Sequence, residues 1–311
     1  MTISVVVSCY NYGRFLKHCL DSLKSQTHTD FDVIVIDDGS TDDSAEVVKP
    51  FLNDPRFRYH YQPNQGQAAA KNAGIHLTSG ELVAFLDADD AWTPDKLERQ
   101  LPLFSNPAVG VVYCSLQVMD QSGHLVPTEG AVGYWREQRG HVTKWLAFDN
   151  FVPFSSAVVR RTLLTGPAGA FDESLHMGID WDLWLRLSRV TEFNYVPARL
   201  MLYRCGHSNQ MSKNWNGRVA AADTIFAKFK RDHPTALTAD ELRQVEWYNA
   251  CSRAGVYREI DLRKSTALLC KAVRLFPFTA APYVGLVKNA SAMMRRYASR
   301  KVEPQGSALR S

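Results

Sequence analysis

The stretch that decides the fold is VIVIDDGSTDDS, Val33 to Ser44, in which four apolar residues lead directly into acids and hydroxyls. A run of four β-branched residues is typical of a strand that is covered on both faces. Two adjacent aspartates, Asp37 and Asp38, follow at the end of this strand, where they repel one another and are costly to desolvate. The pattern indicates that a ligand outside the chain compensates for that cost.

The same kind of apolar run recurs through the first third of the chain. The runs ISVVVS, FDVIVID and ELVAFLD alternate with helical patterns such as FLKHCLDSLKSQ and QAAAKNAGIHL. Because the apolar runs lack a period of two, they predict strands that helices cover on both sides. We therefore predict an α/β fold built on a mainly parallel sheet.

Beyond this third the pattern changes twice. The segment VMDQSGHLV predicts a hairpin at Gly123, and the glycine-rich residues 125–150 predict a mobile loop over the site. Farther on, strand patterns disappear and only helical ones follow. We predict one domain over 1–215, an all-helical C-terminal region over 216–301 and a disordered tail over 302–311.

Composition narrows the class of protein. The 311 residues are 45% hydrophobic and 22% charged, as in a globular chain with a sizeable core. The net charge of +4 suits an anionic ligand or an anionic membrane surface, and we predict no nucleic-acid partner. The six cysteines are scattered without a CxxC pair, which indicates neither a zinc site nor a disulfide scaffold. A basic leader is lacking and no apolar run approaches about 18 residues, so we predict a cytoplasmic protein.

A second cluster of acids follows the fourth predicted strand, in FLDADD. Asp87 and Asp89 lie two residues apart, so in extended chain both carboxylates point to the same side. Two hard oxygen ligands on one side suit Mg²⁺ or Mn²⁺, with the remaining coordination open to substrate phosphates. The alternative is that DADD caps the next helix and that DDGSTDDS is ordinary turn and cap chemistry.

Between the two acidic clusters lies NQGQAAAKNAG, residues 64–74. Its small residues permit close approach of the backbone, and Lys71 is placed to neutralise a phosphate or one of the aspartates. A plain amphipathic helix with a tight N-terminus is the alternative.

The motifs VVVSCYNYGRF, VIVIDDGSTDDS, NQGQAAAKNAG and AFLDADD, in this order and spacing, resemble the family 2 glycosyltransferases, which have a GT-A fold. The resemblance covers about residues 2–212. It implies a nucleotide-sugar-binding half over 1–115 and an acceptor half over 116–215.

The resemblance also assigns roles to the residues of the first half. It implies that Ser8 and Tyr10 wrap the nucleobase, and that Asp38, with Asp37 beside it, contacts the base or the ribose. Asp87, Ala88 and Asp89 match the D-x-D motif, in which Asp89 is the metal ligand and Asp87 contacts the ribose or a metal-bound water. The nucleotide-sugar site further includes Gln67 and Lys71, and Lys71 stands where the family usually has arginine.

In the second half, GIDWDLWLRL aligns with the family's catalytic motif. This implies that Asp180 is the base and Asp182 its downstream partner, while Ile179 stands where glutamate is usual. The alternative for Asp180 is a helix N-cap. In YRCGHSNQMS, the resemblance makes His207 a metal or diphosphate contact, and the alternative is a polar surface histidine. Trp181 is predicted to belong to the core of its helix.

The resemblance implies an inverting glycosyltransferase that uses a nucleoside diphosphate sugar, a UDP-sugar above all, with Mn²⁺ or Mg²⁺. The acceptor would be a saccharide or a lipid-linked saccharide in the synthesis of cell-surface polysaccharide or glycolipid. The alternatives are a catalytically silent sugar-binding protein on the same fold and a sugar nucleotidyltransferase. The latter requires a glycine-rich loop after the first strand, where SCYNYGRF has one glycine.

The basic C-terminal helices suggest a further contact. Their cations accompany apolar segments such as YVGLV, a composition that favours the inner face of an anionic membrane. The alternative is a solvated helix face. The cations in question are Lys288, Arg295, Arg296, Arg300 and Lys301.

Overall fold

The computed structural model describes residues 1–127, 137–207 and 210–302. The chain divides into two compact units, one formed by 1–214 with 221–236 and the other by 215–220 with the residues from 237 onward. Residues 303–311 of the predicted tail lie outside the described residues.

The first unit contains an eight-stranded sheet, confirming the predicted α/β class. The strands are β1 (Ile3–Cys9), β2 (Phe31–Asp37), β3 (Phe57–Tyr61), β4 (Leu82–Asp87), β5 (Ala91–Trp92), β6 (Val109–Met119), β7 (Val158–Arg160) and β8 (Glu192–Arg204). Their order across the sheet is β3-β2-β1-β4-β7-β6-β8-β5. Strands β1 to β4 are mutually parallel, whereas β7 runs antiparallel to both of its neighbours.

Helices surround the sheet and make up the second unit. They are α1 (Gly13–Lys24), α2 (Ser44–Val48), α3 (Gln67–Leu77), α4 (Lys96–Gln100), α5 (Thr143–Phe148), α6 (Arg161–Leu164), α7 (Ile179–Leu187), α8 (Trp215–Asp232), α9 (Ala239–Ile260), α10 (Leu262–Leu275) and α11 (Ala280–Val302). Short 3-10 helices span Lys49–Asn53, Leu101–Ser105, Phe154–Ser156 and Met211–Lys213. The predicted change from strands to helices in the C-terminal part is confirmed.

The central strands are buried because helices cover both faces of the sheet. All residues of β1 except Ser8, and all of β4 except Asp87, are buried. Helix α3 approaches β1 closely at Gly74, where a Cβ atom would lie 2.2 Å from Val6 Cγ1. The small residues of the AAAKNAG segment therefore serve close packing of helix on sheet.

The hairpin predicted at Gly123 is confirmed. Met119 pairs with Leu125 across it, and Gly123 has a φ of +90° that favours glycine. The loop predicted over 125–150 is wrong in part, because Thr143–Phe148 forms α5. Residues 128–136 of that loop lie outside the described residues.

The register of the parallel strands brings the acidic turns together. Ser8 pairs with Asp87 across β1 and β4, and Cys9 pairs with Asp37 across β1 and β2. The carboxyl ends of these strands therefore meet at one edge of the sheet, where open α/β folds bind ligands. Among the described helices, none is long and apolar enough to cross a membrane.

Candidate active site

Asp37 lies at the end of β2, buried, with both carboxylate oxygens in use. Its Oδ1 accepts a hydrogen bond from the Ser40 amide at 2.8 Å, and its Oδ2 accepts one from the Tyr59 hydroxyl at 2.6 Å. The acidic side chain thus closes the turn after β2 and ties it to β3.

Asp38, the next residue, holds the loop that precedes α3. Its Oδ1 accepts hydrogen bonds from Gln62 Nε2 at 2.7 Å and the Gln65 amide at 3.0 Å, and its Oδ2 accepts one from the Gly66 amide at 2.9 Å. A carboxylate has about four acceptor sites, so these three bonds leave room for about one more donor. Asp38 therefore positions the Gln62–Gly66 segment and keeps capacity for one ligand contact.

Asp87, at the end of β4, is paired with a buried lysine. Lys71 Nζ lies 2.9 Å from Asp87 Oδ1, and the Ser8 hydroxyl donates to the same oxygen at 3.3 Å. Lys71 is 3% exposed and its ammonium lies 4.5 Å from the centre of the Phe154 ring. Of the two roles considered for Lys71, neutralisation of an aspartate is the one that these contacts display.

Asp89 faces a histidine that is fully buried. His207 Nε2 lies 3.0 Å from Asp89 Oδ2, and the imidazole packs against the rings of Tyr12 and Phe15. Among the described residues, no hydrogen-bond partner contacts His207 Nδ1. The alternative of a polar surface histidine is therefore wrong, since its ring is held between aromatic side chains and aimed at an acid.

Asp180 lies in the first turn of α7. The N-cap of this helix is Gly178, in the left-handed conformation, so the alternative of Asp180 as the cap is wrong. Asn150 Nδ2 donates to Asp180 Oδ2 at 2.7 Å. Burial, and secondarily the charge of Asp87, raises the pKa of Asp180 above its ordinary value, because both effects disfavour the ionised form.

Comparison with known proteins shows the family of this chain. The model of the family described as "Glycosyl transferase family 2" matches residues 4–164. The chain belongs to glycosyl transferase family 2. It is 43% identical over 135 residues to an uncharacterized glycosyltransferase of Nostoc, covering 43% of this chain and 42% of that protein. It is 30% identical over 198 residues to a chondroitin synthase of Escherichia coli, covering 62% and 27% of the two chains. The match thus spans less than half of either relative.

Solved structures give the fold of this family 2 chain. A mannosyltransferase from Pyrobaculum calidifontis, determined with GDP-Man and Mn²⁺, aligns with a TM-score of 0.64 at 19% identity, covering 96% of this chain and 82% of that one. TarS 1–349 of S. aureus with UDP-GlcNAc aligns with a TM-score of 0.58 at 16% identity, covering 94% and 89%. The family 2 chain has the GT-A fold that the sequence predicted.

A buried arginine to which the sequence analysis gave no role, Arg204, lies beside Asp89. Arg204 Nε donates to the Asp89 carbonyl at 2.8 Å, and its Nη1 donates to the carbonyls of Asp120 and Gln121 in the hairpin. Its Nη2 lies 2.7 Å from His18 Nδ1. The sequence feature that could have identified this residue is an arginine that directly follows the apolar run LMLY. Arg204 fixes the main chain that carries Asp89.

Asp90, the last acid of DADD, is buried in the same cluster. Its Oδ1 accepts from the Arg204 amide and its Oδ2 from the Ser155 hydroxyl. Burial, with the charges of Asp89 and Asp87, raises the pKa of Asp90 well above its usual range. The helix-capping alternative for DADD is wrong, because α4 begins later, with Asp95 at its N-cap.

The carboxylate of Asp182, which was predicted to be the downstream partner of Asp180, pairs with two cations. It binds Arg186 Nε at 2.9 Å and Lys228 Nζ at 2.8 Å, and the same ammonium reaches Asp172 at 2.5 Å. These pairs join α7 to the part of α8 that belongs to the first unit. Asp182 thus secures the helix on which Asp180 lies.

The remaining residues are spread around the site. Trp181 is buried, as predicted, and donates to the Leu146 carbonyl. Gln67 donates to the His176 carbonyl at 3.3 Å, which joins α3 to the loop before α7. Tyr10 is 49% exposed, whereas Ala88 is fully buried.

Proposed function

We propose that this chain is an inverting glycosyltransferase that moves a sugar from a nucleoside diphosphate donor, a UDP-sugar, to a hydroxyl group. The proposed setting is the synthesis of cell-surface polysaccharide or glycolipid in the cytoplasm. The observation that carries the proposal is the juxtaposition of Asp87, Asp89 and His207 at the strand ends with Asp180 close enough for the charge of Asp87 to raise its pKa. Chondroitin synthases among the relatives support a role in polysaccharide synthesis.

The donor would lie over the carboxyl ends of β1, β2 and β4. Asp38 has capacity for one further donor group, such as a nucleobase N–H or a ribose hydroxyl. Ser8 lies near the end of β1 and the exposed Tyr10 follows this strand, at the same edge as Asp37. Gln67, at the start of α3, would contact the donor sugar or diphosphate.

A divalent cation, Mn²⁺ or Mg²⁺, fits the residues at Asp89. The described residues contain no group of three or more acids, histidines and cysteines placed to hold a metal. Asp89 and His207 nevertheless form a two-ligand set of carboxylate oxygen and imidazole nitrogen, a combination that Mn²⁺ accepts when diphosphate oxygens and water complete its coordination. When bound there, the cation would neutralise the charge that develops on the leaving diphosphate.

The chain's own residues would perform the proton transfer. Asp180 would take the proton of the acceptor hydroxyl as its oxygen bonds to the anomeric carbon, while the bond from that carbon to the diphosphate oxygen breaks on the opposite face. A single displacement of this kind inverts the anomeric configuration. The raised pKa of Asp180 makes its carboxylate a stronger base than a solvated aspartate.

Transfer assays with three variants test the proposal. Asp180→Asn and Asp89→Asn should each reduce transfer by about a thousandfold or more, within the range seen when a general base or a charge-stabilising group is removed. Glu46→Gln, which alters an exposed pair with Lys49, is the matched control. Transfer near the wild-type rate in the first two variants would overturn the assignment.

Screening nucleotide sugars for metal-dependent hydrolysis names the donor without knowledge of the acceptor. UDP with Mn²⁺ should raise the melting temperature of the chain more than GDP with Mn²⁺, since bound ligand stabilises the folded state. Binding without any hydrolysis or transfer would instead support the catalytically silent alternative.

A further inference from the structure

The charged residues of the last two helices, α10 and α11, are all lysine or arginine. Between residues 262 and 302 the chain has nine lysines and arginines and neither aspartate nor glutamate. The acids of the second unit flank this segment: those on α9 and Asp261 precede it, and Glu303 follows it. The nine cations are Arg263, Lys264, Lys271, Arg274, Lys288, Arg295, Arg296, Arg300 and Lys301.

One face of α11 is committed to packing within the second unit. Gly285 lies so close to Leu269 of α10 that a Cβ atom would come within 2.6 Å of its side chain. Asn289, which is buried, donates to Ser265 and accepts from Arg258. These contacts determine which side of α11 faces outward.

The outward face of α11 is apolar. Val287 and Met294 are 67% and 65% exposed, and Tyr283 and Val284 are also exposed. At 3.6 residues per turn these four side chains lie within an arc of about 100°. Phe278, fully exposed, lies in the turn just before the helix.

Cations border this apolar arc on one side. Lys288 and Arg295 are exposed. Viewed down the helix axis, both lie within about 40° of the edge of the apolar arc that Val284 forms. An apolar strip with flanking cations is the pattern of a helix that lies in a membrane interface, with apolar side chains among the acyl chains and cations at the headgroups.

We propose that α10 and α11 bind the surface of an anionic lipid bilayer, with the apolar strip Tyr283, Val284, Val287 and Met294 inserted at the headgroup level. The positive segment is complementary in charge to anionic headgroups. Nucleic acid would use the cations but would leave the apolar strip exposed to water, so lipid accounts for both features. This surface is independent of the proposed transferase chemistry.

Sedimentation of the full chain with lipid vesicles tests the proposal. Vesicles of phosphatidylcholine containing about 30% phosphatidylglycerol should bind the chain at least tenfold more tightly than pure phosphatidylcholine, and salt of about 0.5 M should weaken binding. Combined Arg274→Gln and Lys288→Gln should weaken it about 25-fold, at about fivefold per cation.

The apolar strip is tested by Val287→Glu combined with Met294→Glu. Both side chains are largely exposed, so circular dichroism should show the helical content of the wild type while vesicle binding falls at least tenfold. Val190→Glu is the matched control, since Val190 is 60% exposed in the first unit. Asp180→Asn should bind vesicles like the wild type, which separates failure of this proposal from failure of the transferase assignment.

Three results would overturn the proposal. The first is equal binding of neutral and anionic vesicles, and the second is unchanged vesicle binding by the double glutamate variant. The third is the absence of vesicle binding together with a dimer, detected by light scattering, that the same variant dissociates. In that case a second copy of the chain covers the strip.

Discussion

Removing the hydrogen bond from Asn150 to Asp180 should shift the pH dependence of transfer. Asn150 Nδ2 donates to Asp180 Oδ2 at 2.7 Å, and this bond favours the ionised carboxylate. A hydrogen bond to a charged group contributes about 1.5–3 kcal/mol. At about 1.4 kcal/mol per pKa unit, its loss in Asn150→Ala would raise the pKa of Asp180 by about 1–2 units. We expect about 1 unit, because Asp180 is only partly buried and water can replace the lost donor.

The sign of the shift follows from the proposed role. A base must be ionised to accept a proton, so kcat/KM falls on the acid side as Asp180 becomes protonated. In Asn150→Ala this acid limb should move to higher pH by about 1 unit. On the limb itself, kcat/KM should fall about tenfold for each unit by which the pH is lowered. On the alkaline plateau the variant should keep most of its activity.

Rate profiles of kcat/KM against pH provide the measurement. Asn53→Ala, at an exposed position of a 3-10 helix, is the matched control and should leave the profile in place. A uniform loss of rate at every pH, with the acid limb unmoved, would refute the reasoning. It would mean that Asn150 only packs beside α7 or that Asp180 does not accept the proton.

Three further predictions concern the metal ligand and the stability of the fold. Asp89→Asn should abolish the Mn²⁺-dependent part of the UDP-induced rise in melting temperature but leave the metal-independent part, measured by thermal shift. Lys228→Met should lower the free energy of unfolding by about 2–3 kcal/mol at pH 7, because it removes the ammonium that Asp172 and Asp182 share and leaves Asp182 with Arg186 as its remaining cation. Although burial raises it, hydrogen bonds from Lys228 and Ser174 lower the pKa of Asp172 from 3.8 to about 2. The stabilisation from Lys228 is therefore present above pH 3.8 and is lost as the pH falls through about 2, so in urea titrations the deficit of the variant should shrink over that range. Gly74→Ala should destabilise by about 1–3 kcal/mol because its Cβ meets Val6, whereas Gly255→Ala in open space on α9 should be neutral or stabilising in the same titrations.

The parts of the fold and site that the sequence predicted are those set by local pattern. Apolar runs without alternation identified the parallel strands, and the acids after β2 and β4 had to meet because carboxyl ends of parallel strands share an edge. The register that pairs Ser8 with Asp87 and Cys9 with Asp37 confirms this.

The parts that could not be predicted depend on contacts between distant segments. Asn150 reaches Asp180 from a loop 30 residues away, and Lys228 reaches Asp182 across 46 residues. His207 packs against the rings of Tyr12 and Phe15, which lie near the opposite end of the sequence of the first unit. A pattern of residue types does not reveal which distant segment will pack against it.

The charges around the strand ends explain why Asp89, and not Asp87, is the proposed metal ligand. Lys71 already neutralises Asp87, and burial raises the pKa of Asp90, which favours its uncharged form. Asp89 faces His207 at 3.0 Å, and among the described residues no lysine or arginine pairs with its carboxylate. A divalent cation would therefore balance the negative charge of Asp89, whereas Asp87 and Asp90 do not require one. It follows that Lys71→Met should make Asp87 compete for the cation, and that Mn²⁺ titrations of this variant should show altered metal affinity even with Asp89 intact.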